Sequence, residues 1–265
     1  MGLVFNKICE IENLSDALMF LHRKNPRAGS DGIDFTAINN KKEEFLAELC
    51  VLLTTEKYAP LPVVYKRKPY YESSIKILEY VEMNFIDKII EYAIKKIIYP
   101  IFDNVWADFS CAYRKGKGEK YAQQILDKHI NSGDVFAISV DIKSYYKSIV
   151  VERLLEVLLT TINDSQVVSL IAKCMRITDE KLGIQPGQVL SSICANAYLD
   201  SVDWTFKDTH VIRYADNYIF TSKDIHTLEI RKAYLSSALA NIGLSLNENK
   251  TKIVTLPTTI YELLT

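Results

Sequence analysis

Cysteine is sparse and badly placed for cross-linking. Cys9, Cys50, Cys111, Cys174 and Cys194 are odd in number, scattered, and never in a Cys-x-x-Cys pair. That pattern disfavours a disulfide framework and a cysteine-built zinc site, and it suits a reducing, cytoplasmic setting. Long hydrophobic runs are missing too: no stretch approaches the roughly 20 apolar residues of a membrane span, so no membrane partner is expected. The opening MGLVFNKICEIENLSDALMFLHRK carries acids early and has no uninterrupted apolar core, so it is not expected to be a signal peptide; Asn6 spoils a myristoylation match. Glycine (9) and proline (7) are few and unclustered, which excludes collagen-like, linker-rich and low-complexity segments. No repeat at solenoid spacing is visible. Net charge is lacking as well: Lys+Arg 32 against Asp+Glu 33 leaves -1, so whole-chain charge gives no hint of nucleic acid, whose binders usually show a basic domain.

What remains is an ordinary globular chain of 265 residues, long enough for one large domain or two intimately packed subdomains. The texture changes near residue 135, from a basic, lysine-studded first half to short alternating elements, which predicts two parts, 1–134 and 135–265. Apolar residues at Phe85, Ile86, Ile89, Ile90, Ala93, Ile97 and Ile98 predict a helix over 79–99, stopped by Pro100. VFAISVDI (135–142) predicts a buried strand ending in a single acid, Asp141, and VERLLEVLLTT a helix over 151–161. The Pro186-Gly187 turn precedes a helical run bearing Ser191, Ser192, Ala195 and Ala197, small residues that permit close approach. HVIRYADNYIFTSK reads as a hairpin turning at Asp216-Asn217. A helix over 225–242 ended by Gly243 and a last strand in LSLNENKTKIVTL complete the run. The predicted class is α+β, a ferredoxin-like β-α-β-β-α-β sheet with one extra helix.

In such a sheet Asp141 and Asp216 become neighbours at one end of two central strands. Two nearby carboxylates either share a proton or hold a cation; an oxygen-rich site with few protein ligands suits Mg²⁺, and a pair of such ions would serve phosphoryl transfer. Taken singly, Asp141 as a strand-end cap and Asp216 as a turn former need no chemistry. The four histidines, His22, His129, His210 and His226, sit in no ligand or triad spacing and read as structural or surface residues, and no Gly-x-Ser-x-Gly or P-loop is present.

ISVDIKSYY, GIQPGQVLSSICANAYLDSVD, RYADNYIF and GLSLNENKTKI, in this order and spacing, resemble motifs A, B, C and D in the palm of a prokaryotic reverse transcriptase of the group II intron-like family. Upstream, RAGSDGIDFTAI is similar to that family's Gly-Val-Asp-Gly element, KRKPYYESSIKIL to its basic fingers hairpin, FIDKII to its Asp-Arg helix, and FSCAYRKGKG to its Ser-Tyr-Gly-Phe-Arg segment. The resemblance covers nearly the whole chain and implies a right-hand polymerase with fingers and palm and an absent or truncated thumb. The implied activity is RNA-directed DNA polymerisation with two Mg²⁺ ions, Mn²⁺ substituting.

The resemblance assigns Asp141, Ile142 and Asp216 to the metals, and Asp141, Asp216, Asn217 and Lys250 to catalysis, with Lys250 protonating the departing pyrophosphate. Lys68, Lys76, Ile142, Tyr146, Gly187 and Gln188 would bind the nucleotide. Among them Tyr146, five residues beyond Asp141, would exclude a ribose 2'-hydroxyl, and Gly187 would admit the incoming base pair beside Gln188 or Gln185. Arg114, Lys115, Lys117 and Lys120, interleaved with Tyr113 and Tyr121, form a basic loop for a nucleic-acid backbone. Each has a plainer reading as a core tyrosine, a helix-start turn or a solvated lysine face. The pattern departs from the family at Asp216-Asn217, where two acids are usual, and at Gln185-Pro186-Gly187, where Pro-Gln-Gly is usual. These departures look more like defence-associated or CRISPR-linked enzymes, which implies an RNA template, a DNA product, a dedicated noncoding RNA, and an oligomer or partner protein replacing the thumb. The alternatives are a catalytically impaired polymerase fold that serves as an RNA-binding or assembly module, and an RNA polymerase, against which bulky Tyr146 argues.

Overall fold

The computed structural model describes residues 2–24, 29–71 and 75–264, without the side chains of 70, 71, 75, 76 and 78. The chain runs α1 (Leu3–Cys9), α2 (Ile11–Lys24), α3 (Phe35–Asn39), α4 (Lys42–Thr54), β1 (Val64–Tyr71), β2 (Ile75–Glu82), α5 (Phe85–Asp103) and α6 (Glu119–Asn131). It continues through β3 (Phe136–Asp141), α7 (Tyr145–Ser148), α8 (Val151–Ile162), α9 (Ser165–Met175), α10 (Ser191–Trp204), β4 (Val211–Tyr214), β5 (Asn217–Ser222), α11 (Ile225–Ala240), β6 (Lys252–Thr255) and α12 (Ile260–Leu264). Two compact units result, each built from two stretches: 1–102 with 155–194, and 103–154 with 195–265. Among the described residues no helix is long and apolar enough to cross a membrane.

In the first unit, α2 and α4 bury Leu14, Leu18, Leu21, Leu46, Leu49 and Leu53 at helical spacing. β1 and β2 form an antiparallel hairpin in register from Val64 opposite Glu82 to Tyr71 opposite Ile75, with Lys66 and Arg67 paired across it to Glu82 and Glu79. The helix expected over 79–99 is displaced: 79–82 are strand, and α5 starts at Phe85 and runs through Pro100 to Asp103. Pro100 lies in the last turn, so its missing N–H forfeits a single ladder bond near a fraying end. α9 is an addition to the sequence reading. Asp164 starts it by accepting from the N–H groups of Gln166 and Val167.

The second unit holds an antiparallel sheet in the order β4-β5-β3-β6. Its connectivity, β3, helices, the β4–β5 hairpin, α11 and β6, is that of a split β-α-β-β-α-β sheet. Central β3 is buried on both faces, which is why it reads as a continuous apolar run rather than an alternating one. One face packs Ala137, Ile212 and Ile219 against Ala122 and Leu126 of α6 and Ile260 and Leu263 of α12. α11, capped by Asp224 accepting from Thr227 N–H at 2.8 Å, packs against β5 and β3.

Candidate active site

β3 delivers Asp141 to its C-terminal end, directly opposite Asn217, the first residue of β5. Because Tyr214 pairs with Asn217, the hairpin turn is Ala215-Asp216, and Ala215 takes the left-handed conformation (φ 56°) such a turn needs at its first central position. The tip is therefore one residue earlier than expected. Asn217 lies in the ladder, and residues directly opposite in a ladder share one face of the sheet. The amide of Ile142 donates to the Asp216 carbonyl at 3.2 Å, so strand end and turn are fastened together.

Asp141 is buried. Its Oδ1 accepts from Asn247 Nδ2 at 2.9 Å, its Oδ2 accepts from Lys250 Nζ at 2.9 Å, and its carbonyl accepts from the Asn247 amide at 2.7 Å. The 247–250 segment thus folds over one carboxylate. Asp216 is half-buried, and its carboxyl is raised above the ordinary carboxylate value, first by burial and then by the charge of Asp141. Two acids that repel each other, with hard oxygen donors and one lysine for partial compensation, fit a divalent cation of the Mg²⁺ class: a cation between them would relieve the strain that burial creates.

The sugar-selecting candidate Tyr146 is half-buried on the single turn α7, edge-on to the buried Tyr145 at 5.8 Å. Tyr145 is locked by its hydroxyl donating to the Ala195 carbonyl. The Tyr113 hydroxyl is raised first by loss of solvent around it and by the charge of Asp216, which the neighbouring Tyr146 hydroxyl opposes. Tyr113 is also in the left-handed region (φ 61°) although it is no glycine, a strained conformation of the kind that gathers at working sites. The sequence places Tyr113 among the lysines of the basic loop; the geometry puts it beside Tyr146.

A second group escaped the sequence reading. Arg213 of β4 is fully buried, with Nε 2.8 Å from both Asp203 oxygens and Nη2 2.7 Å from Oδ2. Its other donors reach Asn196 Oδ1 (2.9 Å), Ser110 Oγ (2.6 Å) and the carbonyl of Ala215 in the hairpin turn (3.0 Å). Tyr218 donates to Asp203 Oδ1 at 2.7 Å. The guanidinium therefore ties the turn carrying Asp216 to α10 and to the loop before Tyr113.

Residues 78–262 match the family model described as reverse transcriptase (RNA-dependent DNA polymerase). The chain belongs to the reverse transcriptase family. Similar solved structures include apo telomerase from Candida tropicalis (12% identity, TM-score 0.53, covering 80% of this chain and 49% of that one). The same telomerase truncated from its C-terminal domain matches with 12% identity, TM-score 0.51 and coverage of 79% and 54%. Telomerase from Candida albicans in complex with a TWJ fragment of telomeric RNA matches with 12% identity, TM-score 0.51 and coverage of 82% and 48%. At such identity the likeness is one of fold, and the chain spans about half the length of these neighbours. No curated protein matches it in sequence.

Several residues of this chain lie elsewhere than expected. Arg114 is inside the protein: Nε pairs with Asp103 at 2.8 Å, Nη1 and Nη2 reach the carbonyls of Ala107, Ser110 and Asp103, and the guanidinium lies 5.5 Å from the Trp106 ring. It anchors the loop and is not a surface contact for nucleic acid. Lys117 is half-buried, paired with Asp108 at 3.0 Å and 5.1 Å from the Tyr121 ring, whereas Lys115 and Lys120 are exposed. Gly187 (φ 99°) grants a close approach, but to β2: a Cβ there would lie 2.9 Å from the Val81 carbonyl oxygen, and Val81 N–H donates to Pro186 O at 3.1 Å. Gln188 turns inward, Nε2 donating to Cys174 O at 3.1 Å, while Gln185 is exposed. Behind this turn, Glu91 of α5 accepts from Leu190 N–H at 3.1 Å, and burial pushes its carboxyl up to about 8. Lys68 is exposed on β1, 5.9 Å from the Tyr80 ring. Lys76 lies on β2 with its side chain outside the described residues.

Proposed function

We propose that the chain is an RNA-directed DNA polymerase that extends a 3'-hydroxyl with deoxynucleotides by two-metal phosphoryl transfer, 135–265 acting as palm and 1–134 as fingers with part of the palm. The observation that carries this reading is the convergence of Asp141 and Asp216 at one sheet end, with the Asp216 carboxyl raised first by burial and then by its neighbour's charge, in a chain matching the family model over 78–262. When bound, a pair of Mg²⁺ ions would lower the pKa of the attacking hydroxyl and neutralise charge on the leaving oxygen.

Asp141 and Asp216 would hold those ions, with Ile142 beside them as the resemblance implies. Asn217, beside Asp141, leaves the site one negative charge short of the family's pattern, which weakens Mg²⁺ binding and favours Mn²⁺. Lys250, which donates to Asp141 Oδ2, would stand beside the reacting phosphates and protonate the departing pyrophosphate. Tyr146 blocks the 2'-hydroxyl, and Tyr113 fixes the orientation of its ring. Lys68 and Lys76 contact the triphosphate, and Lys115 and Lys120 the nucleic-acid backbone. A setting in bacterial antiviral defence, with a dedicated noncoding RNA and an oligomer or partner protein, rests on the altered Asp-Asn and Gln-Pro-Gly segments. RNA as a partner is in keeping with the telomeric RNA fragment carried by the Candida albicans neighbour.

The test is incorporation of labelled deoxynucleotides by the purified chain on a primed RNA template, with Mg²⁺ or Mn²⁺ and with or without RNase, beside Asp141→Ala. Incorporation lost in the variant is the expected result. Asn217 favours one second reading, an RNA-binding module with relict catalysis. RNA binding without incorporation under either metal would make that the better account.

A further inference from the structure

The end of the sheet remote from Asp141 carries a second constellation that the polymerase reading does not use. After α6, Gly133 (φ 97°) turns the chain so that Asp134 lies just ahead of β3. Asp134 is seven residues before Asp141, on the order of 20 Å along extended chain. His129, on the last turn of α6, stacks on His210, just before β4, with ring centroids 4.4 Å apart and planes 4° from parallel. His210 Nδ1 lies 2.6 Å from Asp134 Oδ2. Thr221 Oγ1 donates to that same oxygen at 2.6 Å and lies 3.0 Å from His129 Nδ1. One ligating atom from each of His129, Asp134 and His210 falls within 4.8 Å of the others. The acid side chain is 5% exposed and that of His210 44%.

We propose that His129, Asp134 and His210 bind one divalent transition-metal ion of the zinc class, separate from the ions of the polymerase site. Two imidazoles and a carboxylate are a recurrent zinc donor set that leaves a fourth position for water. Thr221 supplies the outer hydrogen bond that orients ligands in such centres. The surroundings select against Mg²⁺ and Ca²⁺. Arg231 Nη1 donates to the Thr221 carbonyl at 2.6 Å, and the Lys223 side chain reaches the Gly133 turn, so two cations border the cluster. A hard ion held by charge alone is disfavoured there, whereas imidazole nitrogen suits Zn²⁺, Ni²⁺ or Cu²⁺. A metal lies in the plane of each ring it binds, and parallel rings have no common in-plane point, so binding must break the stack. His210, half-exposed at a strand entrance, is the ring able to turn. The bound ion would clamp the end of α6 to the starts of β3 and β4.

The experiment uses the whole chain, stripped with a chelator and titrated with Zn²⁺ by calorimetry, with metal content measured after dialysis and the thermal midpoint followed alongside. The expected result is one Zn²⁺ retained per chain and a midpoint that rises with Zn²⁺ but not with equal Mg²⁺. His210→Ala, at a half-exposed position, should weaken binding at least tenfold, and His129→Ala likewise. The double variant His22→Ala, His226→Ala should bind as the parent does. No retained Zn²⁺, or retention undiminished in folded His210→Ala, would overturn the proposal. Neither outcome depends on polymerase activity.

Discussion

The buried pair Arg213–Asp203 offers the sharpest test of how the active-site hairpin is held. Asp203 accepts two donors of Arg213 and the hydroxyl of Tyr218, all at 2.7–2.8 Å, and both charged side chains are fully buried. Removing the carboxylate leaves an uncompensated guanidinium, about 3–5 kcal/mol by the behaviour of broken buried pairs. The orphaned Tyr218 hydroxyl adds about 1–3 kcal/mol, partly overlapping. Against a total stability of roughly 5–15 kcal/mol, Asp203→Ala should be close to unfolding, so the informative variant is Asp203→Asn. It keeps the shape and some hydrogen bonding and should lose about 2–3 kcal/mol. Urea unfolding followed by circular dichroism would show a lower midpoint with an unchanged slope. The double variant Arg213→Met, Asp203→Leu should lose far less than the sum of the single changes, because removing both charges removes the penalty. A loss under about 1 kcal/mol in Asp203→Asn, or additive single changes, would refute the claim that this pair holds the turn through the Ala215 carbonyl.

Three further outcomes follow from the site. Asp216→Asn should abolish incorporation yet stabilise the metal-free protein at neutral pH. The folded carboxyl is raised above its ordinary 3.8, so the folded state binds protons first and the penalty for ionising Asp216 fades as pH falls through the raised value towards 3.8. The advantage of the variant should therefore be full above that window and vanish below it, and parallel urea series across pH would expose a constant difference if the idea is wrong. Asn217→Asp, beside Asp141 in the ladder, should lower the Mg²⁺ concentration for half-maximal incorporation; superimposable titrations would remove the argument. Tyr146→Ala should admit ribonucleotides, and Tyr113→Phe, which removes the hydroxyl beside Tyr146, should relax sugar selection by a smaller factor, about fivefold for about 1 kcal/mol; competition between dNTP and rNTP reads both, and unchanged selection in both variants counts against the gate.

What the sequence made legible was whatever neighbours in the chain determine. The apolar run of β3 ending in Asp141, the acid at the hairpin and the order of the motifs are local patterns, and helical or alternating periodicity exposes them directly. The hairpin tip slipped by one residue because turn chemistry favours Asp-Asn, whereas pairing with Asp141 drew Asn217 into the ladder and forced Ala215 into a conformation its side chain does not prefer. Arg114 was misread for the opposite reason. A basic run looks solvated until the acids of distant segments are placed, and Asp103 and the loop carbonyls claim that guanidinium first. Arg213, Tyr113 and the His129–Asp134–His210 group share this origin. Each is assembled across strands or loops, so no spacing along the chain announces it, although an arginine amid the apolar residues of a short strand is a signal that burial must come with a counter-charge. The same logic explains why the site is tied so firmly behind its acids. Two repelling carboxylates, one at the end of β3 and one on the two-residue turn beside it, would spring apart unless the turn were anchored from within, and Arg213, bonded to the Ala215 carbonyl while neutralised by Asp203, anchors it without adding net charge to the cation site in front.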